Sequence, residues 1–115
     1  MALVEINNRT KEKVDFVLVK RTADFFLKFY KEKNKELSIA FVGDRAIRQL
    51  NKTYRKIDRA TDVLTFEGEG NFLGEIIIDY KQIKRQAKKE GHSARKELIF
   101  ILTHGLLHLV GFYDK

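Results

Sequence analysis

The sequence predicts an α+β domain in which a small mixed four-stranded sheet carries helices, in the order β-α-β-α-β-β-α-α, over residues 1–115 as a single unit. Three observations carry this expectation. Apolar residues recur at three- and four-residue steps in some stretches and alternate or run continuously in others. Gly, Asn and Asp fall between those stretches. A chain of 115 residues builds one hydrophobic core and not two.

Leu3 to Ile6 reads as a short strand closed by the turn-forming pair Asn7-Asn8. From Lys11 to Lys33 the residues Val14, Val17, Leu18, Phe25, Phe26 and Phe29 mark one buried face of a long helix, ended by Asn34. Glu36 to Val42 alternates weakly and reads as a strand. Asp44 is placed to cap a helix over Arg45 to Tyr54, with Ile47, Leu50 and Tyr54 inward. Val63-Leu64-Thr65-Phe66 forms a third strand, and Glu67 to Asn71 is a Gly-rich turn. The fourth strand, Gly74 to Asp79, holds Ile76-Ile77-Ile78, and such continuity suits a central strand buried on both faces. Tyr80 to Glu90 is a strongly basic helix stopped by Gly91. Ser93 begins the last helix, which runs to about Leu109.

The absence of cysteine excludes disulfides, thiolate metal sites and thiol catalysis, so any metal is held by nitrogen and oxygen. The N-terminus lacks the pattern of a signal peptide and no apolar run is long enough to span a membrane, from which a cytoplasmic protein without membrane partners is expected. A formal charge of +7 favours a polyanionic partner such as RNA, DNA or a ribosome, although mixed charge at 34% also fits a solvated surface.

The chemistry concentrates in His104-Gly105-Leu106-Leu107-His108-Leu109-Val110-Gly111-Phe112-Tyr113-Asp114. Histidines at i and i+4 share a helix face and can bind one ion, whereas two core histidines would need other hydrogen-bond partners. Gly105 permits close approach beside a ligand. Gly111 lets the chain leave the helix and bring Asp114 within reach of the same ion. Three protein ligands and an open position form the catalytic arrangement for zinc. Gly105 stands where a H-E-x-x-H metalloprotease has its general base, which disfavours that route to peptide hydrolysis.

This segment resembles the H-G-x-L-H-L-x-G-[FY]-x-H signature of the YbeY family, single-strand-specific, metal-dependent endoribonucleases of ribosomal RNA maturation. Leu50-Asn51-Lys52-Thr53-Tyr54-Arg55 with Asp58, then Thr61-Asp62-Val63-Leu64-Thr65-Phe66, are similar to that family's L-N-x-x-[FY]-R and T-D-V-L-S-F segments. Leu73-Gly74-Glu75-Ile76-Ile77-Ile78 resembles its L-G-D-I-x-I strand, and Gly91-His92-Ser93 the start of its last helix. Two departures stand out. Asp114 falls on the family's third histidine and Tyr113 on its usual Asp, while Ala60 and Glu67 replace usual prolines.

The resemblance implies an endoribonuclease, with one zinc ion per chain, acting in the cytoplasm on ribosomal RNA at the ribosome, in small-subunit rRNA 3′ end maturation and ribosome quality control, and not on DNA. It implies metal ligation by His104, His108 and Asp114 and catalysis by Arg55 and His104, with Arg55 as a bidentate phosphate donor. The ion would polarise a phosphoryl oxygen or activate a water, and both remain open. Two other arrangements of the metal also stand: ligation by the histidines alone, or a natural chain that continues past Lys115. Lys84, Arg85 and Lys88, in a basic face with Lys81, Lys89 and Arg95, are RNA-backbone candidates. Asp62 either orients an imidazole or caps a turn, and His92 is expected to be solvated. Two rival readings are a non-catalytic ribosome-associated maturation factor with a structural metal and a metal-dependent hydrolase of another phosphoester or amide.

Overall fold

A computed structural model describes residues 3–111. Its elements are β1 (Leu3–Asn8), α1 (Phe16–Phe29), β2 (Glu36–Val42), α2 (Asp44–Arg55), β3 (Val63–Glu67), β4 (Phe72–Asp79), α3 (Tyr80–Glu90) and α4 (Ala94–Leu109). The order expected from the sequence holds. The sheet order is β1-β2-β4-β3, with β1, β2 and β4 parallel and β3 antiparallel to β4 at one edge.

The isoleucine run in β4 organises the packing. Ile76 and Ile78 point into the larger core with Leu37, Ile39 and Phe41 of β2, and α1, α3 and α4 cover that side. Ile77 points the other way, into a smaller cluster with Ala40, Val42, Leu64 and Ile47 of α2. Period-two alternation divides the strands between two cores, so helices must cover both faces of the sheet.

Several boundaries differ from the sequence reading. β1 continues through Asn7 and Asn8, because six residues pair in register with β2 as far as Asn8↔Phe41. The turn follows the strand: the Asn8 side chain accepts from the Thr10 N–H at 3.0 Å and donates to the Glu12 carbonyl at 2.8 Å. α1 is shorter than Lys11–Lys33, since Asp15 accepts from the Leu18 N–H at 3.0 Å and fixes its start. Its buried face is Val19, Ala23, Phe26 and Leu27, so Val17, Phe25 and Phe29 are solvent-exposed rather than core. That face is the one the helix turns to β1 and α4.

α2 departs in a similar way. Asp44 does not cap it: Gly43 holds the N-cap position with no side-chain bond, and Asp44 lies in the first turn. The buried positions are Ile47 and Asn51, and Tyr54 is exposed. Asn51 Nδ2 donates to the Arg59 carbonyl at 2.9 Å, which ties the chain after α2 to the helix. β3 and β4 extend to Glu67 and Phe72. The predicted α3 and α4 hold, with Gly91 in the left-handed region at φ 75° and Ser93 accepting from the Lys96 N–H at 3.1 Å.

Asp79 joins β4 to α3 and is fully buried. Its Oδ1 caps α3 through the Lys81 and Gln82 N–H groups at 3.1 and 3.4 Å. No donor among the described residues reaches Oδ2. A protonated Asp79 carboxyl is itself a donor, and the Asp44 side chain lies beside it as an acceptor. Burial first, then Asp44, push Asp79 up to about 7, while Arg85 holds Asp44 down at about 2.

A carboxyl with a raised folded pKa stabilises the fold below its unfolded value, and that stabilisation is lost as pH rises through the folded value. Thermal melts of the parent should therefore fall between about pH 4 and 7, by at most about 4 kcal/mol at about 1.4 kcal/mol per pKa unit. Asp79→Asn keeps the cap and an N–H toward Asp44, so its melts should lose this slope and lie above the parent near pH 7. Gly74 has φ 149°, and a Cβ there would meet the Phe66 carbonyl oxygen at 2.4 Å and Leu109 Cδ2 at 2.8 Å. Gly74→Ala should cost about 1–3 kcal/mol in urea unfolding, because backbone and α4 must both move.

Candidate metal centre

The site forms where the edge strand runs between helices on opposite faces of the sheet. β3 sends Leu64 and Phe66 toward α2 and Thr65 toward α4. A cleft of about 450 Å³ opens there, lined by Tyr54 and Arg55 of α2, Val63 to Phe66 of β3, and His104, Gly105 and His108 of α4. Arg55 and the histidine pair, far apart in sequence, thus share one cavity.

His104 Nε2 and His108 Nε2 lie 3.2 Å apart, with the rings at 77°. Two zinc–nitrogen bonds of about 2.0–2.1 Å at a tetrahedral angle span about 3.3 Å, so the pair fits two corners of a zinc site. Burial first, then the neighbouring His104, push His108 below its ordinary range, which favours the neutral, ligating imidazole. Gly105 lets α4 pack on the sheet at this level: a Cβ would meet Thr65 Cγ2 and Ile76 Cγ2 at 3.3 Å. The close approach inferred for this glycine is therefore made by sheet side chains. Gly111 has the positive φ expected of it, 79°. Asp114 and Tyr113 lie outside the described residues. Among the described residues no cluster of three or more His, Asp or Glu side chains gathers as a metal site.

Arg55 ends α2, whose last turn also carries Lys52, and Lys56 follows at φ 62° in the left-handed region. Asp58, three residues on, does not pair with Arg55: Arg48 takes Asp58 at 2.9 Å. Arg55 is thereby left facing the cleft. Tyr54 stands beside it, exposed, edge-on to Phe66 with ring centroids 5.2 Å apart. Helical periodicity placed Tyr54 inward. It missed the ring's part in the cleft because α2 rests on the sheet through Ile47 and Asn51 instead.

The basic helix is not brought to the cleft. Lys84 pairs with Glu12, and Arg85 grips Asp44 through Nη2 and Nη1 at 2.7 and 3.3 Å. Neither these two nor Lys88 lines the cavity of the histidines. Asp62 orients no imidazole; its carboxylate accepts from Gln86 Nε2 at 3.2 Å. Gln86 also donates to buried Glu97 at 3.0 Å, and Glu97 lies 2.6 Å from His92 Nε2. His92 is thus paired, not solvated, in a polar chain that ties α3 to the first turn of α4.

The model of the endoribonuclease YbeY family matches residues 5–115, nearly the whole chain and every element described above. The chain belongs to the YbeY family. A relative named Endoribonuclease YbeY from Aquifex aeolicus is 38% identical over 107 residues, covering 89% of this chain and 71% of its own length. One of the same name from Wolinella succinogenes is 31% identical, covering 98% of this chain and 81% of its own. Against the Synechocystis YbeY, 41% identical, the chain spans about half the relative's length, 51%. A solution structure from Thermotoga maritima superimposes with a TM-score of 0.68 at 29% identity, over 97% of this chain and 74% of the other. The α+β architecture is therefore that of a solved protein. No helix among the described residues is long and apolar enough to cross a membrane.

Proposed function

We propose that this YbeY-family chain is a zinc-dependent endoribonuclease that cleaves single-stranded ribosomal RNA, in maturation of the small-subunit 3′ end and in ribosome quality control. One observation carries the reading: Arg55 and the His104/His108 pair, whose nitrogens sit at zinc-ligand spacing, line the same cleft. His104 and His108 hold the ion, with Asp114 as the third ligand. The ion, when bound, supplies a Lewis acid beside the scissile phosphodiester. Arg55 binds a non-bridging phosphate oxygen pair through its guanidinium fork and orients the phosphorus toward the histidines. Charge builds on those oxygens as the phosphorus becomes five-coordinate. A fixed guanidinium then stabilises the transition state more than the ground state.

The cleft is open at the surface, as an enzyme acting inside a long polymer requires. The chain's net charge of +7 adds a long-range attraction for RNA that salt screens. Lys84, Arg85 and Lys88 serve, in this reading, as outlying contacts to RNA beyond the cleft. Two of them would have to exchange Glu12 and Asp44 for phosphates.

Calorimetric titration should show one zinc per chain for the parent and none bound tightly by His104→Ala or His108→Ala. Both variants should remain folded, because the histidines lie on the cleft side of α4. Arg55→Ala should lower cleavage of single-stranded RNA by about 10²-fold or more while retaining zinc. Arg55→Lys should recover only part of the loss, because an ammonium lacks the fork. Cleavage by His104→Ala and Arg55→Ala at the parent's rate would refute this function.

A further inference from the structure

The rims of the cleft are assigned by the reading above, but its floor, the outer edge of β3, is not. Which backbone groups lie on that edge follows from the ladder. Asp79 N–H donates to the Asp62 carbonyl and Gly68 N–H to the Leu73 carbonyl, each at 3.0 Å. In an antiparallel pair, bonded and non-bonded partners alternate. In the observed register Leu64↔Ile77 and Phe66↔Glu75 are then the bonded pairs, and Val63, Thr65 and Glu67 turn their N–H and C=O groups away from β4. β3 is the end strand of the sheet, so no further strand among the described residues answers them.

Thr65 is the inner residue of this outward-facing set and lines the cleft together with His104, His108, Tyr54 and Arg55. Its side chain packs toward Gly105 of α4, which leaves its N–H and C=O directed along the cleft floor. One residue of a strand edge offers a donor and an acceptor side by side. The Watson–Crick edge of every nucleobase offers the complementary arrangement: N1 and N6–H of adenine, N3 and N4–H of cytosine, N3–H and O4 of uracil, N1–H and O6 of guanine. In a duplex those atoms are already taken. In a single strand they are free.

We infer that the main-chain N–H and C=O of Thr65 pair with the Watson–Crick edge of one unpaired base next to the scissile phosphate, while the exposed Tyr54 ring stacks on that base. This rests on the RNA-cleavage reading and adds the device that selects unpaired RNA. Two hydrogen bonds to the backbone accept any base yet reject a paired one. Base stacking on Tyr54 is equally tolerant of sequence.

The test titrates 15N-labelled, zinc-loaded protein with a short oligouridine and with the same oligomer built from N3-methyluridine, in which a methyl group replaces the N3–H donor. The Thr65 amide should move downfield with oligouridine, and the methylated strand should bind about 10-fold or more weakly, as loss of a bidentate base contact implies. Thr65→Pro removes the outward N–H at a position where an edge strand tolerates proline. It should slow cleavage of single-stranded RNA by about 10-fold or more, and by more than Thr65→Val, which keeps the N–H. Should the proline variant fail to fold, the two oligomers alone decide. A Thr65 amide that stays still while Tyr54 and Arg55 respond, or equal binding of both strands, overturns the inference even if cleavage depends on His104. Discrimination between the strands with a moving Thr65 amide, in a protein that cleaves no RNA, keeps the inference and defeats the cleavage reading.

Discussion

Burial of β4 on both faces is the constraint on which the rest of the molecule depends. Ile76 and Ile78 on one side and Ile77 on the other leave no solvent-facing surface on this strand from Ile76 to Asp79, while Phe72 at its start is exposed. A strand buried in this way needs helices above and below the sheet. α4 takes one face and α2 the other, and the short antiparallel β3 is left as the edge between them. The cleft is the gap that remains where two helices on opposite faces overhang one edge strand.

This arrangement explains why the chemistry is divided among distant parts of the chain. α4 contributes the histidines because its opposite side, Leu98, Ile101, Leu102, Leu106 and Leu109, is committed to the larger core. α2 contributes Arg55 because Ile47 and Asn51 hold its buried side, so the helix ends at the rim of the cleft. The polar chain from Asp62 through Gln86 and Glu97 to His92 braces the other end of α4. The histidines are therefore carried on a helix fixed at its start by buried hydrogen bonds and along its length by apolar contact. Such rigidity keeps the two imidazole nitrogens 3.2 Å apart, the spacing that a shared ion would require.

The charge pattern divides in a less expected way. The most basic helix, α3, faces away from the cleft and spends Lys84 and Arg85 on carboxylates from the β1–α1 connection and α2. These pairs are exposed and each contributes little to stability. Arg55 is used differently: its acidic neighbour Asp58 is taken by Arg48, and the guanidinium stays available to the cavity. In the proposed function, net charge would give attraction at a distance and one arginine at the histidine cleft would give position.

The element order, the both-face burial of the isoleucine run, the Gly91 stop of α3, the Ser93 cap of α4 and the histidine pair were legible in the sequence, because each is written in residues only a few positions apart. Its motifs also matched the family across most of the chain. Errors arose where a residue's fate is set by something distant. Phe25, Phe29 and Tyr54 have the spacing of core residues, but the sheet is approached by other faces of their helices. Lys84 and Arg85 look free until the fold brings Glu12 and Asp44 to them. The meeting of Arg55, the outward edge of Thr65 and the two histidines was decided only by the tertiary structure. No local periodicity records which strand becomes the edge, since that follows from how whole layers cover β4.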